Sequence, residues 1–263
     1  PAPKIGAKAK GISIQWKRAR QVFQYAALAL FLFFVYKTIQ ASMLQLGDQN
    51  FNNLFSRLNP LQAFASMLAS KQIILNYFPI LLTIGVTLVF GRVWCGWFCP
   101  LGGALEQYGP RGRKISWQFL RKWKYVILFT ILVMAAFGSL AWMWFEPITI
   151  MMRGLTAIFK PLLTYVGLEK KKDFIMPAMS WWAIGIPFLL VLLLNLIEKR
   201  FWCRYLCPLG ALIGLGSKIS WFKRFVNQKS CVKCGDCEKI CPMGAISDKR
   251  DFTSDPAECI MCM

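Results

Sequence analysis

The sequence predicts an all-α membrane protein in which four transmembrane helices form two repeats of the same orientation, followed by a small cysteine-rich domain. Three observations predict this class: four long apolar runs, an uneven distribution of basic residues, and a cysteine phrase that occurs twice. The 263 residues are 56% hydrophobic yet carry a formal net charge of +20. A soluble domain this apolar would need a very large core, and a disordered basic chain would lack apolar residues.

Four apolar runs are long enough to cross a bilayer as helices, which takes about 20 residues each. They cover residues 23–39, 73–93, 125–145 and 181–197. A soluble all-α core is the alternative interpretation. It is disfavoured because the stretches "YVILFTILVMAAF" and "IPFLLVLLLNLI" show no polar face.

Basic residues concentrate in alternate connections between these runs. Three segments are strongly basic, with six, seven and seven Lys or Arg and at most one acid each: residues 1–20, 90–124 and 198–230. The other two connections, 40–77 and 146–179, carry two and five basic residues against one and three acids. The positive-inside rule therefore predicts a multi-pass protein with both termini and every cysteine on the cytoplasmic side. The charges flank apolar runs and form no single face, so we expect a lipid membrane as partner and no nucleic acid.

The two repeats are defined by the phrase W-C-x-x-x-C-P-L-G, which begins at Trp94 and again at Trp202 and is followed both times by K-I-S-W. Upstream, Asn59-Pro60 and Glu146-Pro147 each predict a helix start, because a capping side chain precedes a proline. Each repeat crosses the membrane and returns, so both have the same orientation. The predicted organisation is a basic cytoplasmic N-terminus, two transmembrane repeats and a C-terminal domain, over residues 1–20, 21–110, 111–220 and 221–263.

The paired phrases predict a shared site of four thiols: Cys95, Cys99, Cys203 and Cys207. Residues i and i+4 share one face of a helix, and a pseudo-two-fold axis brings both pairs to one depth. We expect Pro100 and Pro208 to end each helix just beyond the second thiol. Four thiolates can hold an iron–sulfur cluster or another metal; redox-active dithiols and apolar packing are the alternatives. The chain has no histidine, which excludes His-ligated metal sites.

The C-terminal domain carries the run C-x2-C-x2-C-x3-C-P, which is the bacterial ferredoxin signature. It predicts that Cys231, Cys234 and Cys237 bind one [4Fe–4S] cluster, whereas Cys241 belongs to a second. Cys259 and Cys262 begin the second motif and are expected to join Cys241, giving a dicluster ferredoxin domain. The fourth ligand of each cluster is then expected beyond this point in the chain. A zinc site is the alternative, although zinc sites more often use two separate C-x2-C pairs.

The combination of two W-C-x3-C-P-L-G phrases with this ferredoxin tail resembles the NapH-type membrane-bound ferredoxins, the C-terminal half of NosR-type proteins and the membrane module of CcoG-type proteins. The resemblance covers nearly the whole chain, which departs from the pattern by lacking the end of the second motif. It implies an electron-transfer subunit of the bacterial inner membrane, within a quinol dehydrogenase-type complex. Such a subunit passes electrons between the quinone pool and a redox partner, such as a ferredoxin-like protein or a c-type cytochrome.

A quinol site would need a proton acceptor near the bilayer edge, and Glu146 is the candidate, with Trp142, Trp144 and Phe145 as a possible lining. The alternatives are a carboxylate that caps the helix starting at Pro147 and an ordinary aromatic belt. Two other functions also remain open. One is a metal (copper) handling, assembly or regulatory membrane ferredoxin, in which the cysteine pairs bind or reduce copper. The other is a membrane anchor for a redox subunit.

Overall fold

The computed structural model describes residues 7–44, 54–72, 78–108, 119–139, 143–165 and 178–262. Within these ranges the structure has ten α-helices, two π-helical turns and three 3₁₀ turns. The π-helical turns are Trp94–Phe98 and Trp202–Leu206, and the 3₁₀ turns are Phe119–Lys122, Gln228–Ser230 and Asp248–Arg250. In chain order the helices are α1 Ala7–Leu44, α2 Leu54–Arg57, α3 Pro60–Ser70, α4 Ile80–Phe90, α5 Pro100–Gln107, α6 Trp123–Ala136, α7 Pro147–Tyr165, α8 Ala178–Ile197, α9 Pro208–Ser217 and α10 Asp236–Ile240. Among the described residues the pairing of strands is limited to one isolated bridge, between Ile246 and Ser254.

The first predicted span lies within α1, whose segment Gln15–Thr38 is long and apolar enough to cross a membrane. Helices α4 and α6 match parts of the second and third predicted spans but have 11 and 14 residues, fewer than the roughly 20 that a bilayer requires. Helix α8 has 20 residues. Four membrane crossings and the repeat organisation therefore stay predictions.

Several parts of the sequence-based interpretation lie outside the described residues. They include residues 73–77 of the second span, the first K-I-S-W at residues 114–117, and Trp142. The predicted domain boundaries also stay predictions, since residues 110 and 111 are not described. Helix α1 runs without interruption through the predicted boundary at residue 20.

The helical core is built by helix crossings within each half of the chain and between the halves. Helix α7 packs on α8, α6 packs on both α3 and α9, and α1 packs on α5. Gly154 allows a close crossing of α7 and α8, because a Cβ there would lie only 2.4 Å from the Cβ of Phe188. Large apolar side chains fill the interior, among them Phe31, Leu61, Leu105, Ile131, Val191 and Leu209.

Helices α4, α6 and α8 also carry apolar side chains on their outer faces. Leu82 is 66% exposed and Phe129 is 69% exposed, and Ile186 and Leu189 are exposed to a similar degree. This is the reverse of a soluble helix, whose outer face is polar. Exposed apolar side chains of this kind are typical of helices that contact lipid or another protein.

The predicted helix starts at Pro60 and Pro147 are confirmed, and their capping residues touch each other. The side chain of Asn59 accepts a hydrogen bond from the Leu61 amide at 3.1 Å. Glu146 accepts one from the Ile148 amide at 3.1 Å and another from Thr149. The Asn59 amide group donates to Glu146, and both side chains are fully buried. A buried side-chain contact therefore joins the two halves of the chain.

Candidate iron–sulfur site

Each cysteine phrase folds as one π-helical turn followed at once by a new α-helix. The amide of Cys99 donates to the carbonyl of Trp94 at 2.9 Å, and that of Cys207 donates to Trp202 at the same distance. Both cysteines have extended backbones, with ψ of 115° and 111°. Pro100 and Pro208 were expected to end each helix just beyond the second cysteine. The preceding turns instead end one residue before that cysteine, and the two prolines begin α5 and α9. Proline disfavours the helical conformation in the residue before it, so the break falls on the second cysteine itself.

The second cysteine of each phrase consequently sits at a helix N-terminus and outside the turn that holds the first. Cys207 caps α9, since its Sγ accepts a hydrogen bond from the Gly210 amide at 3.3 Å. Backbone N–H groups at a helix start favour a negatively charged ligand. The prediction of one α-helical face for each pair is therefore replaced by a wider turn with a capping thiol.

The thiols of the two phrases lie close enough for their charges to interact. Burial raises the pKa of Cys99, Cys203 and Cys207, and the neighbouring Cys95 raises all three further. Four bare thiolates would repel one another in this buried setting. A bound cation or cluster would remove that repulsion, since thiolates and not thiols ligate metals. Within the described residues, no group of three or more Cys, Asp or Glu side chains is close enough to bind a single metal ion.

Two buried arginines flank the thiols and were not identified from the sequence. Arg92 and Arg200 precede Cys95 and Cys203 by three residues each, and both are 0% exposed. The Nη2 of Arg200 lies 2.5 Å from Glu106, and the Nη1 of Arg92 lies 3.0 Å from Glu258. The signal was present in the sequence, because both phrases read R-x-W-C-x3-C-P-L-G.

The C-terminal domain contains a cavity of about 350 Å³ that is lined by cysteines of both ferredoxin motifs. Four cysteines line it: Cys237, Cys241, Cys259 and Cys262. The Ala245 amide donates to the Sγ of Cys241 at 3.3 Å, as expected for an amide facing a ligating sulfur. Burial raises the pKa of Cys259 and Cys262, and Cys241 raises both further. The structure thus places Cys241 beside the second motif.

The other two cysteines of the first motif lie away from this cavity. Cys231 is half-buried, and Cys234 is exposed at the surface of the domain. Gly235 between them and Cys237 has a φ of +76°, a conformation that glycine adopts without strain, and α10 begins directly after it. All ten cysteines are free thiols, which agrees with a ligating role and not a disulfide framework.

The second ferredoxin motif rests directly on the first cysteine phrase. The indole Nε1 of Trp97 donates to the carbonyl of Met261 at 3.2 Å. A Cβ on Gly96 would lie 2.6 Å from the carbonyl oxygen of Ile260, so only glycine fits there. Gly96 and Trp97 lie between Cys95 and Cys99, whereas Ile260 and Met261 lie between Cys259 and Cys262. The two candidate sites are therefore direct neighbours.

The hydrogen bonds of Glu146 are those of a capping carboxylate. Its oxygens are engaged by Asn59 and by the Ile148 and Thr149 amides. Trp144 and Phe145 are both 44% exposed, and the guanidinium of Arg153 lies 4.5 Å from the centroid of the Trp144 ring.

Comparison with known proteins places these features in one family. Residues 73–118 and 180–227 each match the Fer4_5 family, a 4Fe-4S binding domain, and residues 225–246 match Fer4_6, also a 4Fe-4S binding domain. The ferredoxin-type protein MauN of Paracoccus denitrificans is 30% identical over 244 residues, which are 87% of this chain and 76% of MauN. The chain belongs to the NapH-type family of ferredoxin-like iron–sulfur electron-transport proteins.

Other members of this family match shorter stretches. The ferredoxin-type protein NapH of Escherichia coli is 30% identical over 173 residues, which are 62% of this chain and 52% of NapH. YccM of the same organism is 30% identical over 194 residues, so the chain spans about half (49%) of its length. No solved structure matches the chain. The family resemblance predicted from the two phrases is confirmed, and both phrases lie in stretches that match a 4Fe-4S binding domain.

Proposed function

We propose that this protein is an electron-transfer subunit of the bacterial inner membrane, passing single electrons between the quinone pool and a partner redox protein. The observation that carries the proposal is the direct contact of Trp97 with Met261, which joins the paired thiols to the ferredoxin domain. Bound iron–sulfur clusters supply the chemistry, because each accepts or donates one electron. Short separation between neighbouring centres is what such a relay requires of the protein.

We assign the ferredoxin cysteines to two [4Fe–4S] clusters. Cys231, Cys234 and Cys237 would hold the first, and Cys241, Cys259 and Cys262 the second, as the motif spacing implies. The wall of the cavity beside the second group is otherwise largely apolar, formed by Ile246, Ile260 and Met261 among others. These side chains exclude water from the sulfur ligands, which raises the strength of each hydrogen bond to them.

The four paired cysteines are proposed to hold a further cluster. The surroundings fit an anionic group in two ways. First, four buried N–H groups have no hydrogen-bond acceptor in the described part of the chain. They are the indole Nε1 of Trp94 and of Trp202 and the Nε of Arg92 and of Arg200. Five buried cations are ion-paired with three carboxylates, which leaves a surplus of two positive charges near the thiols; the cations are Arg20, Arg92, Lys124, Arg200 and Arg204.

Membrane insertion is proposed for four spans with both termini in the cytoplasm. The helix segment Gln15–Thr38 supports it, as do the exposed apolar faces of α4, α6 and α8. Full-length protein should resist extraction from membranes by alkaline carbonate. A C-terminal green fluorescent protein fusion should fluoresce, and the matching alkaline phosphatase fusion should be inactive. Phosphatase activity, or release by carbonate, would contradict this topology.

The quinone end of the relay requires a group that accepts protons from the quinol. Glu146 is kept as the candidate proton acceptor, although its capping bonds leave its oxygens little further capacity. Glu146→Gln keeps the shape of the side chain and one oxygen acceptor. We expect it to slow reduction by a quinol analogue in reconstituted vesicles if Glu146 accepts a proton. An unchanged rate assigns Glu146 to capping alone.

Iron and acid-labile sulfide per chain test the cluster assignments. About eight of each corresponds to two ferredoxin clusters. About ten adds a [2Fe–2S] cluster at the paired cysteines, and about twelve adds a [4Fe–4S] cluster there. The variant Cys95→Ser/Cys203→Ser should lose only the iron and sulfide of the paired-cysteine cluster. The variant Cys259→Ser/Cys262→Ser should lose those of the second ferredoxin cluster. Iron-free purified protein overturns the proposal.

Electron flux in the same double variant separates the three functions. An electron conduit loses flux through Cys95→Ser/Cys203→Ser, whereas a membrane anchor keeps it. A copper handler loses copper delivery while quinol oxidation persists.

A further inference from the structure

The two buried arginines occupy the same position in both phrases but reach across to the opposite one. The Nη1 of Arg200 lies 3.5 Å from the carbonyl oxygen of Cys95 and donates to it. The Nη2 of Arg92 lies 2.7 Å from where a Cβ would sit on Gly210, whose amide donates to the Sγ of Cys207. Each guanidinium therefore approaches the thiols of the other phrase.

Both guanidinium groups keep spare donors in this position. Arg92 Nε and Nη2 and Arg200 Nε are buried and have no hydrogen-bond acceptor among the residues that the structure describes. A buried donor without an acceptor costs about 1–3 kcal/mol, so three of them in one place need an explanation. An anionic centre held by the four thiols would supply acceptors that the protein itself lacks.

The backbone conformation of Arg200 is a second, independent observation that the surrounding structure fixes the position of this residue. Its φ is +58°, in the left-handed region that a residue with a Cβ rarely adopts. Asn195, which is fully buried, holds it there by accepting from the Arg200 amide at 2.7 Å. Strained backbone conformations persist where the surroundings over-determine them, and they cluster at functional sites.

The carboxylate partners fix the two side chains from different parts of the chain. Glu106 on α5 binds Arg200 at 2.5 Å and Arg20 at 2.5 Å. Glu258, the residue before Cys259, binds Arg92 at 3.0 Å and also binds Lys124. Each carboxylate is shared between two cations, so neither guanidinium is fully neutralised by its partner.

We propose that Arg92 and Arg200 are positioning residues that set the reduction potential of the centre held by Cys95, Cys99, Cys203 and Cys207. This rests on the proposed function, since it requires a one-electron centre at these thiols. Adding one electron makes the centre more negative, and two buried guanidinium groups stabilise that extra charge. Net charge and hydrogen bonds to the sulfurs are among the factors that set cluster potentials. The two arginines therefore raise the potential and favour the reduced form.

The test is a redox titration, monitored by electron paramagnetic resonance, of the purified full-length protein with its clusters. The variants are Arg92→Gln, Arg92→Lys, Arg200→Gln and Arg200→Lys. Arg153→Gln is the matched control, because Arg153 lies on α7 and contacts Trp144. Each Gln variant should make reduction of the paired-cysteine centre about tenfold less favourable, a fall of about 59 mV for one electron. The Lys variants keep the charge and should shift less, and the control should not shift.

Two results would overturn the inference. One is an unchanged potential in both Gln variants that keep the full iron content. The other is loss of iron in the Gln and Lys variants alike, which would show a structural role independent of charge. Loss of iron in the Gln variants with retention in the Lys variants supports the proposal. Failure of the proposed function is recognised separately, because Cys95→Ser/Cys203→Ser would then have the iron content and spectrum of the unmodified protein.

Discussion

The two cysteine phrases have the same local fold but different surroundings. Between its cysteines the first phrase carries Gly96 and Trp97, and both contact the second ferredoxin motif. The second phrase carries Arg204 and Tyr205 there, and both bind Glu198 within the bundle. The second phrase therefore binds a carboxylate close to it in sequence, although Arg204 also approaches Gly244 of the C-terminal domain. The first phrase instead contacts the second ferredoxin motif through Gly96 and Trp97.

The carboxylates that hold the arginines show the same asymmetry. Glu106 follows the second cysteine of the first phrase by seven residues, and the equivalent position in the second phrase is Gly214. A Cβ on Gly214 would lie 2.8 Å from the carbonyl oxygen of Ala257, so the glycine admits the ferredoxin domain. Glu258 then provides the carboxylate that the second repeat lacks. One ion pair is internal to the bundle, and the other forms only when the C-terminal domain is docked.

Replacing these carboxylates is the strongest way to test the comparison. Glu106→Ala leaves Arg20 and Arg200 buried without a counter-charge, and Glu258→Ala does the same to Arg92 and Lys124. Removing one partner of a buried ion pair typically costs about 3–5 kcal/mol. We expect Glu106→Ala to lower the thermal midpoint of the whole bundle in detergent, and Glu258→Ala to release the C-terminal domain to proteolysis.

Asp236→Ala is the control for this pair, since that carboxylate is mostly exposed and forms only a long contact with Lys239 at 3.7 Å. It should alter neither readout, because exposed ion pairs contribute little. Equal proteolytic release by Glu106→Ala and Glu258→Ala would contradict the distinction between the phrases.

Acidification should destabilise the bundle through the Glu106 carboxylate. Burial alone would raise the pKa of Glu106, but Arg200 and Arg20 outweigh burial and hold the pKa below its ordinary value. A carboxyl whose pKa is lower in the folded state stabilises it above the unfolded pKa, near 4.3. That contribution is lost as the pH falls through the folded pKa. The thermal midpoint should therefore fall on acidification below about pH 4, and should fall less in Glu106→Gln.

Adding a side chain at Gly96 should weaken the contact between the first cysteine phrase and the C-terminal domain. The effect should be smaller than that of removing Glu106 or Glu258. Gly96→Ala would place a Cβ 2.6 Å from a backbone oxygen that no side-chain rotation can move aside. Overpacking of this kind costs about 1–3 kcal/mol. Proteolysis of the C-terminal domain should accelerate in Gly96→Ala. Gly85→Ala on α4 is the matched control, because nothing lies within 4 Å of its Cβ position.

Trp97→Phe should have the smallest effect, because it removes one hydrogen bond at the same interface and keeps the aromatic ring. The expected loss is about 0.5–1.5 kcal/mol, measured as a modest increase in the rate of proteolytic release. Trp123→Phe, at an exposed site outside the interface, should leave the rate unchanged. A larger effect from Trp97→Phe than from Gly96→Ala would show that the indole hydrogen bond, and not close backbone contact, determines docking.

The sequence predicted features that depend on local chemistry. Asn59 and Glu146 mark helix starts because a cap followed by proline acts within a few residues. The turn at Cys99 and Cys207 was misjudged because the restraint that proline imposes falls on the residue before it. Arg92 and Arg200 were detectable by aligning the two phrases. The contact of Trp97 with Met261 was not, because it joins residues 164 positions apart and depends on how the domain packs.

The hydrogen bond between Asn59 and Glu146 makes the two halves of the chain complementary and not interchangeable. One half contributes an amide and the other a carboxylate to a shared contact from which water is excluded. Two copies of the second half would place two carboxylates face to face, and like charges at such a distance cannot both remain ionised. A polypeptide that contains both halves always supplies one amide and one carboxylate. Covalent linkage therefore ensures that the Asn59 amide pairs with the Glu146 carboxylate.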